Sequence, residues 1–164
     1  MKTLLIVYHT MTGGTQQMAE AAAAGARAEA PDVDVRLMRA ADAGPHDVLA
    51  ADACIFATPE NLAAMSGVMK DFFDRSYYAV LDRVNGRACA TLVCAGSDGS
   101  NAVRQIERIA TGWRMKAVAE PLIVCTHAQT PDEILRMKRI GVGDLRRCEA
   151  LGAALAAGLS LGVF

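Results

Sequence analysis

Residues 7–19 read VYHTMTGGTQQMA and contain the strongest fold signal in the sequence. A short apolar run, residues 2–8, leads into a loop rich in threonine and glycine, and an alanine-rich segment of helical period follows. Threonine hydroxyls and backbone amides at the start of a helix suit a phosphate, because the helix dipole favours negative charge there. Gly13 and Gly14 let the backbone approach a ligand closely. The stretch therefore predicts a strand, a phosphate-binding loop and a helix in succession.

The loop differs from two common nucleotide-binding loops. No lysine follows the glycines, which excludes the metal-assisted nucleoside triphosphate loop, and the three-glycine spacing of the dinucleotide fingerprint is missing. An ordinary Thr/Gly turn that caps a helix remains an alternative at this point.

The alternation of apolar runs and helical segments continues along the chain. It predicts strands at residues 2–8, 33–38, 53–57, 88–95 and 118–125. It predicts helices at residues 14–29, 65–81, 100–112 and 132–160, with a short helical turn at 46–51. Gly141 and Gly143 are expected to interrupt the last region, with Asp144 capping a fresh start. We predict one domain over residues 1–164, an α/β fold with a three-layer doubly wound sheet of five parallel strands.

Composition excludes several classes of partner. Seventeen basic and eighteen acidic side chains leave a net charge of −1, which gives no footprint for nucleic acid or for an anionic membrane. Five cysteines without a C-x-x-C pair predict free thiols and no metal site. The amino-terminal apolar run is too short for a signal peptide, and no run approaches the ~20 apolar residues of a membrane span. We expect a soluble, cytoplasmic protein.

Two motifs carry a family resemblance. Residues 7–19 closely resemble the flavodoxin signature, in which hydroxyls and amides hold the phosphate of flavin mononucleotide (FMN). Residues 57–62 and 65–75 read ATPENL and MSGVMKDFFDR, and resemble the pattern of NAD(P)H-dependent FMN reductases and related flavodoxin-fold quinone reductases. The resemblance implies FMN as cofactor and the strand order 2-1-3-4-5.

The resemblance also supplies the candidate cofactor-binding residues. For the phosphate they are Thr10, Met11, Thr12, Gly13, Gly14 and Thr15. For the isoalloxazine ring they are Thr58, Pro59, Glu60, Asn61 and Leu62, after the third strand. For the pyrimidine edge of the ring they are Ala95, Gly96, Ser97 and Asp98, after the fourth strand. These loops are expected to meet, because ligands of open α/β sheets gather at the carboxyl ends of the strands.

No protein side chain is assigned a catalytic role, because the flavin would carry the chemistry. Lys70 and Asp74 are four residues apart and are expected to pair on one helix face. His9 and His127 are expected to have structural or solvent roles, and Cys94 is expected to be a buried thiol.

Two functions fit the resemblance. The leading hypothesis is an oxidoreductase in which NADH or NADPH reduces FMN and a quinone or other small acceptor reoxidises it. The alternative is a flavodoxin-type electron carrier that acts on protein partners, although such carriers are usually acidic around the cofactor and this chain is nearly neutral. A response regulator is excluded because the first and third strands lack terminal acidic residues; a relative of the fold without flavin stays open.

Neither ring loop contains Phe, Tyr or Trp, so one flavin face is expected to be open to nicotinamide or a flat acceptor. The alternative is that Tyr77, Tyr78 or Trp113 of a neighbouring subunit covers it, in a homo-oligomer.

Overall fold

The computed structural model describes all 164 residues, and strands alternate with helices along the chain. The strands are Thr3–Tyr8 (β1), Asp34–Arg39 (β2), Ala53–Asn61 (β3), Ala64–Met65 (β4), Ala88–Ala95 (β5), Lys116–Ala117 (β6) and Leu122–Cys125 (β7). The helices are Gly14–Glu29 (α1), Pro45–Ala50 (α2), Gly67–Val80 (α3), Ser100–Gly112 (α4), Pro131–Leu135 (α5) and Val142–Ser160 (α6). None of the helices is both long and apolar enough to cross a bilayer.

The sheet confirms the predicted topology. Its order is β2-β1-β3-β5, with β6 and β7 both pairing with β5, and all these pairs are parallel. Since β6 and β7 together occupy the fifth position, this is the predicted order 2-1-3-4-5. The central strands β1 and β5 are buried along their whole length, whereas β2 is partly exposed at the edge. This burial matches the apolar runs in β1 and β5 and the alternating pattern in β2.

Two apolar clusters fill the space on either side of the sheet. One joins the sheet to α1 and α6 and contains Met18, Leu155 and Leu159. The other joins it to α2, α3 and α4 and contains Phe72 and Ile106. This places three layers around one sheet, as predicted.

Helices α1 and α6 touch through their backbones. A Cβ atom at Gly152 would collide with the carbonyl oxygen of Ala22, and one at Gly25 would collide with the carbonyl oxygen of Glu149. Such close approach needs residues without side chains at the crossing point. The amino-terminal helix that follows the phosphate loop is thus held by the last helix of the chain.

The predicted fifth strand, residues 118–125, is wrong in its first half. The backbone leaves the sheet after Val118, whose amide still donates to Cys89 (3.1 Å), and returns to it at Leu122. Pro121 explains the departure, because proline has no N–H for the ladder and is excluded from the interior of a sheet.

The predicted helix at 132–160 is also divided, and earlier than expected. The helical structure stops after Leu135 and resumes at Val142, so residues 136–141 separate α5 from α6. Gly141 is the N-cap of α6, and Asp144 lies within the first turn, where it pairs with Arg147 at 3.0 Å. The expected cap at Asp144 was therefore placed three residues too late.

The third strand is longer than predicted. It continues to Asn61, turns at Leu62 and Ala63, and pairs antiparallel with β4. Helix α3 then begins at Gly67 rather than 65, with the Ser66 hydroxyl accepting from the Met69 amide. On this helix the Lys70 ammonium lies 2.6 Å from the Asp74 carboxylate, which confirms the expected pair.

Candidate functional site

A cleft opens at the carboxyl ends of the parallel strands, where three predicted loops meet. Together with the open space at its mouth it has a volume of about 540 Å³. Ten of the predicted residues line it: Thr10, Met11, Thr12, Gly14, Thr15, Pro59, Glu60, Asn61, Ala95 and Gly96. Gly13, Thr58, Leu62, Ser97 and Asp98 do not. The structure thus brings the phosphate loop and both ring loops to one place.

The phosphate loop, residues 10–15, is shaped by a tight turn before α1. The Gly13 amide donates to the Thr10 hydroxyl oxygen (3.0 Å), and Gly13 has a φ of 85°, a conformation that L side chains rarely adopt. Gly14 packs so closely that an added Cβ would lie 2.6 Å from Cys94 Sγ. These contacts place the loop backbone directly against the end of β5.

Most hydrogen-bond donors of the loop have no partner within the chain. The amides of Met11, Thr12, Gly14 and Thr15 donate to no protein acceptor, and the Thr15 hydroxyl is buried without a partner. A buried hydroxyl is normally satisfied, so that of Thr15 calls for an acceptor from outside the chain, and the four amides belong to residues that line the same cleft. Several donors at the positive end of a sixteen-residue helix fit the phosphate of FMN.

The first ring loop is the hairpin formed by β3 and β4. Thr58 is fully buried, and its hydroxyl accepts from the Ser66 amide (3.0 Å), so this residue fixes the hairpin from behind. Pro59, Glu60 and Asn61 line the cleft, while Leu62 is fully exposed at the hairpin tip. Leu62 and Ala63 have φ values of 50° and 59°, which is unusual for residues other than glycine.

The second ring loop follows β5 and is fixed at both ends. Ala95 and Gly96 line the cleft, whereas Asp98 accepts from the amide and the hydroxyl of Ser100 at the start of α4. The Ala95 carbonyl accepts from the Thr126 amide (2.9 Å), and the Gly96 carbonyl accepts from the His127 amide (2.7 Å). The loop is thereby connected to the segment after β7.

That segment forms a wall that sequence reasoning missed. The unpredicted residues on the cleft are Cys94, Thr126, Ala128, Ile134, Leu135 and Lys138. All except Cys94 belong to residues 126–140, here called the second wall. The sequence did offer one signal for it. The predicted strand at 118–125, which contains β7, ends at Cys125, and its carboxyl end also reaches the ligand edge of the sheet.

The second wall is tied to the phosphate loop through Gln17 and Lys138. The Gln17 side-chain amide donates to the carbonyls of Gly13 (2.9 Å) and Lys138 (2.8 Å), and its oxygen accepts from the Ile140 amide (3.1 Å). The Lys138 amide donates to the Thr12 carbonyl at 2.7 Å. The geometry of the second wall therefore depends on the phosphate loop.

Burial favours the neutral forms of two titratable groups near the cleft, His9 and Cys94. Burial, and to a lesser degree the charge of Arg39, lowers the pKa of His9 beside the phosphate loop. Burial raises the pKa of the Cys94 thiol to about 11, and the nearby Lys138 opposes this shift only in part. Cys94 is thus the buried thiol that was expected, and the structure contains no group of three or more His, Cys, Asp or Glu residues placed to hold a metal.

Tyr77, Tyr78 and Trp113, named above as possible ring covers from a neighbouring subunit, lie away from the cleft of their own chain. Trp113 is fully buried, and its indole N–H donates to the Tyr77 carbonyl at 3.0 Å. Tyr77 stacks on Trp113 in the core, while Tyr78 is 84% exposed on α3. No aromatic side chain lines the cleft, so the ring site is bounded by aliphatic and polar groups.

Comparison with known proteins decides the family. The model of the family described as NADPH-dependent FMN reductase matches residues 43–130, more than half of the chain. The chain belongs to this family. It is an FMN-binding, flavodoxin-like protein, and the donor set of the phosphate loop fits that cofactor.

Relatives of this FMN reductase family member carry two kinds of name. A flavodoxin from Aquifex aeolicus is 38% identical over 104 residues, which cover 63% of this chain and 56% of that protein. An NAD(P)H dehydrogenase (quinone) from Acidithiobacillus ferrooxidans is 35% identical over 95 residues, which cover 46% of this chain and 48% of that protein. The chain spans about half the length of the curated relatives it matches.

The fold of the family member extends over whole flavodoxin structures. A flavodoxin from the domain Archaea superposes with a TM-score of 0.79 at 22% identity, covering 96% of this chain and 98% of that one. At this identity the likeness shows the fold alone. It confirms the flavodoxin-like architecture over nearly the full chain.

Proposed function

We propose that the protein is a flavodoxin-type electron carrier that holds FMN in the cleft and exchanges electrons with a protein partner. The observation that carries the FMN part is the set of unpartnered donors in the phosphate loop. When bound, the flavin supplies the one-electron and two-electron redox chemistry. The chain binds its phosphate, orients the ring and leaves the cleft mouth accessible.

In this proposal each loop has a separate task. The amides of the phosphate loop and the Thr15 hydroxyl bind the phosphate. Pro59 to Asn61 on one side and Ala95 with Gly96 on the other bound the ring. The buried Thr58 hydroxyl positions the first ring loop through Ser66. Gly13, Leu62, Ser97 and Asp98, which do not line the cleft, shape its edges.

The carrier is preferred over the reductase for two reasons. The flavodoxin relative matches a larger share of the chain, at higher identity, than the quinone-reducing relative. The cleft mouth is also bordered by exposed apolar side chains, among them Leu62 and Leu135, which suit contact with another protein. This reverses the order of the two hypotheses that the sequence alone favoured.

A reductase that uses NADH or NADPH is the second candidate. The observation in its favour is the absence of an aromatic cover on the cleft, because nicotinamide must stack on the flavin to transfer hydride. The description of the family also names NADPH.

Anaerobic titration separates the two candidates. The FMN-loaded protein is mixed with NADH or NADPH and, in parallel, titrated with dithionite while the flavin absorbance is recorded. The carrier is expected to remain oxidised with both nucleotides and to accumulate a one-electron-reduced form during the dithionite titration. Rapid bleaching by either nucleotide, without that form, would favour the reductase. Calorimetry showing no FMN uptake by the apoprotein would contradict both.

A further inference from the structure

Two unpaired arginines lie beside the cleft. Arg136 and Arg139 line a shallow lobe that is continuous with the cleft, since Thr126, Ala128 and Lys138 border both. Neither guanidinium has a carboxylate within ion-pair distance. Arginine without a partner is well suited to bind a carboxylate or phosphate of another molecule.

The other charged groups of the lobe already have partners. The Glu133 carboxylate accepts from the amides of Gln129 (2.9 Å) and Thr130 (3.1 Å), and Asp144 pairs with Arg147. The Lys138 ammonium donates to main-chain carbonyls at the end of α5, including that of Ile134 at 2.8 Å. Arg136, Lys138 and Arg139 outnumber the carboxylates of Glu133, which lies in the field of Arg136, and Asp144, so the lobe is positive; Glu60 lines the cleft but not the lobe.

Exposed apolar side chains border the cleft on both sides. Met11 and Leu135 line it and are 61% and 69% exposed, Met137 of the adjoining lobe is 72% exposed, and Leu62 at the hairpin tip is fully exposed. Large apolar side chains grouped in this way mark interaction surfaces.

Leu62 is held in place at the hairpin tip by a strained backbone and a side-chain hydrogen bond. Its φ of 50° is costly for a residue with a Cβ, and the Asn101 side chain holds the hairpin by donating to the Ala63 carbonyl at 2.6 Å. The fold thus accepts backbone strain and presents an apolar side chain to solvent at the edge of the cleft.

We propose that the cleft mouth is a docking surface for an acidic electron-transfer protein, with Arg136 and Arg139 as its charged contacts and Leu62, Leu135 and Met137 as its apolar contacts. The inference rests on the proposed carrier function. A small anion would need only the positive lobe. The apolar groups on both sides of the mouth therefore favour a protein as the partner. Complementary charge would steer an acidic partner toward the flavin edge.

The test uses the FMN-loaded protein and two redox proteins of opposite charge. Flavin reduction by reduced plant-type [2Fe–2S] ferredoxin, which is acidic, is followed by anaerobic stopped flow. In Arg136→Glu/Arg139→Glu the rate at low ionic strength is expected to fall at least about tenfold, and salt should remove most of the difference. Electron transfer from the reduced variant to the basic cytochrome c should not become slower.

A matched control carries the same charge change at the other end of the sheet. Arg83 and Lys116 are exposed, have no ion-pair partner and lie at the amino ends of the strands. Arg83→Glu/Lys116→Glu should keep the ferredoxin rate within about twofold of wild type. Equal slowing in both double variants would show a net-charge effect and overturn the docking site.

A binding measurement provides a readout other than electron transfer. In ¹⁵N spectra of the FMN-loaded protein, the paramagnetic ferredoxin should broaden the amides of residues 134–139 and of Leu62 in preference to those near Arg83. Broadening without that preference would overturn the proposal.

The remaining outcomes separate this inference from the function on which it rests. If Arg136→Glu/Arg139→Glu loses reduction by NADPH while its ferredoxin rate is unchanged, the lobe binds a nucleotide phosphate and the docking site is overturned. If the wild type binds FMN but exchanges electrons with neither redox protein, the carrier function itself fails.

Discussion

The phosphate loop and the second wall face the same cleft but are built in opposite ways. In the phosphate loop, the amides of Met11, Thr12, Gly14 and Thr15 and the Thr15 hydroxyl have no partners within the chain. In the second wall, Lys138 donates to several carbonyls and Glu133 accepts from two amides. The phosphate loop presents free donors to the cofactor. In the second wall Glu133 and Lys138 are bonded within the chain, only the exposed Arg136 and Arg139 lack ion-pair partners, and the position of the wall depends on its contact with the phosphate loop. The ligand-binding side is accordingly the one that local sequence predicts.

The strongest predicted change is a loss of FMN affinity through the phosphate loop. Gly14→Val would place a branched side chain where even a Cβ lies 2.6 Å from Cys94 Sγ, and would push the loop off the end of β5. We expect FMN affinity to fall by at least about 100-fold, or about 2.7 kcal/mol, in calorimetry. Gly44→Val is the control, because no atom lies within 4 Å of its added Cβ. A variant that keeps wild-type affinity would show that this loop does not hold the phosphate.

The next effect tests whether the second wall depends on the phosphate loop. Gln17→Ala removes two donated bonds and one accepted bond that join them, so we expect a loss of about 1–3 kcal/mol in the free energy of unfolding by urea. Hydrogen exchange should become faster in residues 126–140. Gln16→Ala, whose side chain bonds only to Glu20, should change neither quantity. Unchanged exchange in the second wall would remove the dependence inferred here.

A smaller effect is expected at Thr15, where loss of the hydroxyl should weaken FMN binding without destabilising the apoprotein. Thr15→Val removes the buried hydroxyl while keeping a branched side chain of similar size. FMN affinity should fall about tenfold, the value of roughly one hydrogen bond to a charged group. The apoprotein should be as stable as wild type or more stable, since the hydroxyl has no partner there. Riboflavin, which lacks the phosphate, serves as control and should bind both proteins equally; weaker binding of both ligands would place Thr15 at the ring.

The smallest effect is a pH dependence of the free energy of unfolding that arises from His9, beside the phosphate loop. Burial and Arg39 lower the pKa of His9 in the folded state, so the unfolded chain takes up a proton first as the pH falls. The stability that His9 contributes is therefore present above its unfolded pKa of about 6.5 and is lost as the pH falls through that value toward the folded pKa. Urea unfolding at pH 7.5 and 5.5 should show a smaller loss on acidification for His9→Gln than for wild type. An equal loss would mean that His9 titrates alike in both states.

Local signals predicted much of the fold. Helices α1 and α4 and strand β5 have the bounds expected from the sequence, because periodicity, glycines and apolar runs mark their ends. The hairpin after β3 was missed because its turn is made by Leu62 and Ala63, where such turns usually need glycine or asparagine.

The second wall was missed for a different reason. Its shape depends on bonds between Gln17 and residues more than 100 positions away, such as Lys138 and Ile140. No periodicity of residues 126–140 encodes those contacts, so the helix there was predicted as continuous. The phosphate loop and the two ring loops were therefore predicted, because they have recognisable motifs, and the second wall was not.

The backbone contact between α1 and α6 has a consequence for the order in which the protein folds. Helix α1, which follows the phosphate loop, is synthesised well before α6, the helix that covers it. Until Gly152 packs against Ala22, the apolar residues of α1 that contact α6 remain exposed to solvent. Contacts between such distant parts of a chain slow folding, because the long intervening segment must first be ordered. A nascent chain that ends before α6 would carry the cofactor loop while still exposing an aggregation-prone helix face.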